Sequence, residues 1–230
     1  LNQLFEKINP VLEWIMKLAV TNLVWVVFNL PVAYLTLSLF FIREEPQFIM
    51  TMATLAILAP FISFPATTAM FGVVRKWIMK EDVPLFRHYW AAYKENYKRS
   101  MAGGLVFTLA GVILTADYYY LKSTLPLAGY LFLFLLVWLF LIMLYFFADT
   151  VHTETKLFQS MKNSLILTIA NPFFSFGIAL ISIIILYFSF TSATFLLPFF
   201  SGSSIAALSF FGYYKVFSKV VELQNSQTDQ

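Results

Sequence analysis

Five aromatic residues, Phe86, Tyr89, Trp90, Tyr93 and Tyr97, recur at intervals of three and four and make one stripe on a helix. Arg87, Lys94 and Lys98 fall on another face, and Asn96 completes the polar set beside Tyr97. Rings beside cations can lie at headgroup depth against anionic lipid. That lipid-facing reading comes first; the sharper alternative is a docking helix for a cytoplasmic partner or a neighbouring membrane subunit. Nucleic-acid binders interleave the same residue types, but here the stripe sits between two apolar runs, so no nucleic-acid partner is expected. Asp82, with Pro84 two residues later, fits a capped helix start.

The second chemical set lies inside apolar runs, where polar side chains are costly and are the first functional candidates. Asn22 and Asn29 are seven apart, hence on similar faces; Thr67 and Thr68 follow Pro65; Asn171 precedes Pro172. Together they could line a path for a small neutral solute, or serve only as interhelical hydrogen-bond partners. Asp117 and Asp149 stand near the ends of their runs and are expected to reach water rather than carry protons in the membrane. Catalytic and cofactor chemistry find no support. His88 and His152 are the only histidines, His152-Thr153-Glu154 lacks paired-histidine zinc spacing, cysteine is absent and no phosphate loop occurs.

The elements that must position these residues follow from composition. Of 230 residues, 60% are hydrophobic, 19% aromatic and only 12% charged, against about a quarter charged in soluble domains. Glu45 and Arg75 enclose 29 uncharged positions, and Lys162 and Lys215 enclose 52. Since about 20 apolar residues cross a bilayer core, the chain reads as one all-α, multi-pass membrane domain, 1–230. Six spans are expected, near 18–41, 48–74, 100–120, 125–148, 163–190 and 193–215. Pro60 and Pro65 should kink the second, and Asn171-Pro172 should interrupt the fifth. Residues 1–17 form an amphipathic segment with Leu4, Phe5, Ile8, Leu12 and Ile15 on one face and Pro10 limiting it. The first span is read as retained rather than cleaved, because Glu6 and Glu13 precede it. Residues 75–99 form a basic, aromatic loop helix, and 216–230 a polar tail. Small residues (Ser100, Gly104, Thr108, Gly111 and Thr115 in the third span, Gly202, Ala206 and Ser209 in the sixth) read as close-packing faces.

Orientation follows from Lys and Arg. With both termini on one side, that side carries 13 of the 15 and the other only Arg43 and Lys122. Positive-inside bias puts both ends in the cytoplasm.

Three segments resemble the YesL family of bacterial integral membrane proteins. They are Asn22-Leu23-Val24-Trp25-Val26-Val27-Phe28-Asn29-Leu30-Pro31, Phe64-Pro65-Ala66-Thr67-Thr68-Ala69-Met70, and the Phe86–Ser100 stretch with Tyr93-Lys94-Glu95-Asn96-Tyr97. Phe64 stands where that family commonly has glycine. The resemblance implies a protein of the cytoplasmic membrane without established activity, encoded beside sugar ABC importers. It therefore implies a non-catalytic accessory subunit contacting membrane lipid and the importer's permease subunits. A small-molecule channel or transporter and a membrane sensor of sugar utilisation are the other readings.

Overall fold

A computed structural model describes residues 2–81 and 83–228, with side-chain surroundings for 9–81 and 83–222. The described chain is helical throughout: α1 (Asn2–Phe28), α2 (Leu30–Ser38), α3 (Glu45–Leu58), α4 (Ser63–Ile78), α5 (Leu85–Leu121), α6 (Pro126–His152), α7 (Leu157–Ala170), α8 (Pro172–Thr191) and α9 (Gly202–Thr228), with a five-residue π-helical turn at Leu197–Ser201.

Proline sets most of these boundaries. Pro31, Pro46, Pro126 and Pro172 occupy the first two positions of α2, α3, α6 and α8, where the missing N–H would be unpaired anyway. Pro84 immediately precedes α5. Only Pro10 lies well inside a helix. The end of α4 is sealed differently: Lys80 adopts φ 59°, and the amides of Lys80 and Glu81 donate to the carbonyls of Trp77 and Lys76. That is a Schellman closure with lysine where glycine is usual. An ion pair between Lys76 and Glu81 ties the two sides of the turn and holds the Glu81 carboxyl below its ordinary range.

Among the described residues, four helical stretches are long and apolar enough to cross a membrane: Asn9–Phe28, Leu85–Leu121, Pro126–His152 and Pro172–Thr191. The pair α3 and α4, inclined by 51° across the break at 59–62, makes a fifth if it is one span. Several expected boundaries move. The expected amphipathic segment and the first span are one helix, broken not at Pro10 but at Asn29; Leu12 and Ile15 are exposed, while Leu4, Phe5 and Ile8 lie outside the described side chains. The loop helix and the third span are also one helix, because no proline or capping sequence interrupts 85–121. Asp82, the expected cap, lies outside the described residues, and Pro84 takes the capping position. The expected interruption at Asn171-Pro172 is present as a full break, at φ −131° and ψ 66°, since proline drives the residue before it out of the helical region. The stretch 193–215 comprises turns, the π-helical turn and the first half of α9, which runs helically through the expected polar tail to Thr228.

The core forms around α4, eleven of whose sixteen residues are buried. Helices α1, α5, α6 and α9 pack about it, whereas α2 and α3 bury no residue. The first turns of α5, the α6–α7 link and the 213–219 stretch of α9 converge at one end, called the basic end below, where Arg99 reaches Thr153 and Tyr213 reaches Asp149. Glycine lets α5 approach its neighbours. A Cβ on Gly103 would stand 2.3 Å from Cζ of the fully buried Phe146, and one on Gly104 would stand 2.9 Å from the Pro60 Cα. Gly103→Ala is therefore expected to lower stability by about 1–3 kcal/mol, despite alanine's better helix propensity. Thermal unfolding of the purified protein checks this, with Gly111→Ala as the near-neutral control because its Cβ meets only Leu139 at 3.8 Å.

Candidate functional site

The aromatic stripe of α5 divides between the bundle and its surroundings. Tyr89 is buried, and its hydroxyl donates to the Ala66 carbonyl at 2.8 Å. Phe28 of α1 packs on it and on Trp90 and Tyr93, with ring centroids 5.0, 5.9 and 5.1 Å away. The Tyr97 hydroxyl donates to the Phe61 carbonyl at 3.3 Å, in the break between α3 and α4. Asn96 turns back on its own helix and donates to the Ala92 carbonyl. So Tyr89, Tyr93 and Tyr97 fasten α5 to the bundle, while Asn96 bonds only within its own helix. Phe86 (67% exposed) and Trp90 (49% exposed) point outward with Arg87, Lys94 and Lys98. Trp90 stacks on Tyr93 at 5.7 Å, and the Lys94 ammonium lies 5.4 Å from the Trp90 centroid. Rings and cations thus share one exposed surface rather than opposite ones.

Three of the polar candidates from the apolar runs, Asn22, Thr67 and Thr68, are engaged across helices, whereas the Asn29 Oδ1 is buried without a partner among the described residues. The buried Asn22 donates through Nδ2 to the Leu197 carbonyl at 2.9 Å and accepts at Oδ1 from the Ser203 amide at 2.8 Å. It bridges the two sides of the π-helical turn, where the ordinary i→i−4 ladder is interrupted. Thr67 accepts from the Trp25 indole at 3.0 Å, and Thr68 accepts from Ser100 at 2.7 Å. Asn29 donates to the Trp25 carbonyl. Asn171 is half-buried at the α7–α8 break, on different elements from the rest. These residues are not gathered along one path.

A third constellation escaped the sequence reading. Asp149 was expected to reach water, yet it is fully buried and faces Arg99 at 3.5 Å. Its Oδ1 accepts from Tyr213 at 2.9 Å and from Asn163 at 3.4 Å, and its Oδ2 accepts from Thr153 at 3.0 Å. Arg99 donates to the Thr153 carbonyl at 2.8 Å, to Thr155 at 3.2 Å and to Ser160. One ion pair with its hydroxyl and amide partners therefore joins α5, α6, α7 and α9. Adjacent to it, Nδ1 of His152 accepts from Arg75 at 3.4 Å, and Phe210, Tyr213, Tyr214 and Phe217 surround the ring edge-on. Among the described residues, no three His, Cys, Asp or Glu side chains stand close enough to hold a metal ion. The arrangement fixes helices against one another. A sequence signal existed in the run Thr150, Thr153, Thr155 and Ser160 after Asp149, dense in hydroxyls for a helix end in an apolar chain.

Residues 18–118, from α1 to the far end of α5, match the family described as protein of unknown function, DUF624. The chain is 32% identical to the uncharacterized protein YteU of Bacillus subtilis over 216 residues, covering 90% of this chain and 84% of that protein. It is 25% identical to the uncharacterized protein YesL of the same organism over 222 residues, 96% and 94% of the two chains. A shorter match, 39% identical over 61 residues, links it to the uncharacterized protein YesV, at 26% of this chain and 29% of that one. No solved structure matches the chain.

Proposed function

This chain belongs to the DUF624 family of proteins of unknown function, as a YesL-like member, and from that premise we propose that it is a non-catalytic accessory subunit of a carbohydrate ABC importer. In this reading it lies in the bacterial cytoplasmic membrane and crosses it six times, the π-helical turn with the first half of α9 adding a sixth crossing to the five stretches already long and apolar enough; both termini then lie in the cytoplasm, as the 13-to-2 division of Lys and Arg favours. The importer is implied by the YesL-like motifs. The observation that carries a binding role is the exposed surface of Phe86, Arg87, Trp90, Lys94 and Lys98 on a helix whose opposite side is locked into the core. A large ring held at a fixed place beside cations is the composition of an interface anchor. The internal engagement of Asn22, Thr67 and Thr68 favours a binding subunit over a solute path.

Affinity purification of the tagged protein in mild detergent is expected to recover permease subunits. Replacing Phe86, Trp90 and Lys94 together by alanine should reduce that recovery about tenfold or more, as loss of interface hot spots does, while membrane insertion persists. Absence of any permease from the wild-type eluate overturns the importer reading. Undiminished recovery with the triple variant removes this surface from it.

A further inference from the structure

Between α8 and α9 lies a groove of about 340 Å³. Phe174, Gly177 and Ile181 line it from one helix and Leu208, Phe211 and Gly212 from the other. Two glycines shape it. At Gly212 a Cβ would meet Ile178 Cδ1 at 2.5 Å, so the helices approach closely at the floor. At Gly177 nothing lies within 4 Å of where a Cβ would stand, so the trough is open above that position. The lining side chains are all carbon, and α8 is one of the helices apolar enough to span a membrane. Such a trough accepts hydrocarbon.

One mouth of the groove is marked by charge. Lys215, three residues beyond Gly212 on α9, is exposed, and its ammonium stands 5.2 Å from the Phe174 ring centroid. It makes no ion pair with a described residue, and the next turn brings a second exposed cation, Lys219. Both belong to the basic end of the bundle; the far end of the groove, at Ile181 and Leu208, has only apolar side chains. A lysine stem lying on an aromatic ring with its ammonium at the membrane edge is placed to meet a lipid headgroup.

We propose that this groove is a binding site for an anionic phospholipid, one acyl chain lying in the trough over Gly177 and the phosphodiester paired with Lys215. The open space over Gly177, with no atom within 4 Å of a Cβ there, suits a slender acyl chain. The charge favours an anionic over a zwitterionic headgroup.

Native mass spectrometry of the full-length protein, delipidated and then exposed to vesicles of phosphatidylglycerol or phosphatidylcholine, tests the site. The wild type is expected to retain at least fivefold more phosphatidylglycerol. Lys215→Gln should remove that preference while some lipid of either kind remains bound. Gly177→Leu, which fills open space and so leaves the fold intact, should reduce retention of both. Circular dichroism and a monodisperse elution profile confirm folding of each variant. Equal retention of the two lipids by the wild type overturns the proposal. So does wild-type retention of phosphatidylglycerol by Gly177→Leu, or a photo-crosslink from position 177 to a second copy of the chain instead of to lipid.

Discussion

Asp149→Ala is expected to destabilise the bundle by about 3–5 kcal/mol, the usual result of removing one partner from a buried ion pair. The carboxylate is fully buried and receives Arg99, Tyr213, Asn163 and Thr153. Its loss leaves the Arg99 guanidinium, with 17% of its side chain exposed, without a counter-charge in a chain where an unpaired ion is expensive. It also orphans the Tyr213 hydroxyl. The double change Asp149→Leu with Arg99→Met should recover at least half of the loss, because a desolvated pair can be exchanged for apolar volume at little net cost. Denaturant titration of the purified protein in detergent measures both. A shift below about 1 kcal/mol for Asp149→Ala would show that the pair is solvated and worth no more than a surface contact.

The second large effect is expected at Asn22. Its amide holds the Leu197 carbonyl and the Ser203 amide, two backbone groups separated by the π-helical turn. Truncation in Asn22→Ala leaves both unpaired in an apolar interior, at about 1–3 kcal/mol for each, so a loss of about 2–6 kcal/mol is expected. The effect should be local. Hydrogen exchange followed by mass spectrometry should show faster exchange across 197–203, with α4 and α6 unchanged. Gly202 lies against the same amide, a Cβ there falling 2.9 Å from Asn22 Oδ1, so Gly202→Ala should reproduce a weaker version of that pattern. Unaltered exchange at 197–203 in Asn22→Ala would place the support of the π-helical turn elsewhere, in the Ser189–Ser201 hydroxyl pair.

Local features of the chain were legible where one residue type decides the outcome. Proline-marked starts, the break at Asn171 and the helical period of the α5 aromatics all follow from short-range sterics and spacing. The continuity of α5 was not legible from hydropathy. Arg87, Lys94, Lys98 and Arg99 end an apolar run, but nothing about them ends a helix, so the two signals separate at Ser100. Nor does spacing tell which tyrosines face inward. Tyr89 and Phe86 lie on one stripe, and only the carbonyl of Ala66 and the ring of Phe28 distinguish them. The buried pair was hidden for a similar reason. Arg99 and Asp149 each sit at a helix position where water is the ordinary partner, and they meet only because α6 returns antiparallel to α5, 50 residues later. Asn22 and Ser203 are 181 residues apart, beyond any pattern a window can detect.

The unbroken course of α5 has a mechanical meaning. At 37 residues the helix is about 55 Å long, while the hydrocarbon core is about 30 Å thick. Its first fifteen residues, Leu85 to Arg99, account for about 22 Å of that length, and within them Tyr89, Tyr97 and Arg99 tie the helix to α4, to the α3–α4 break and to α6. Phe86 and Trp90 therefore ride on a braced post rather than on a free arm, and their position is set by the bundle.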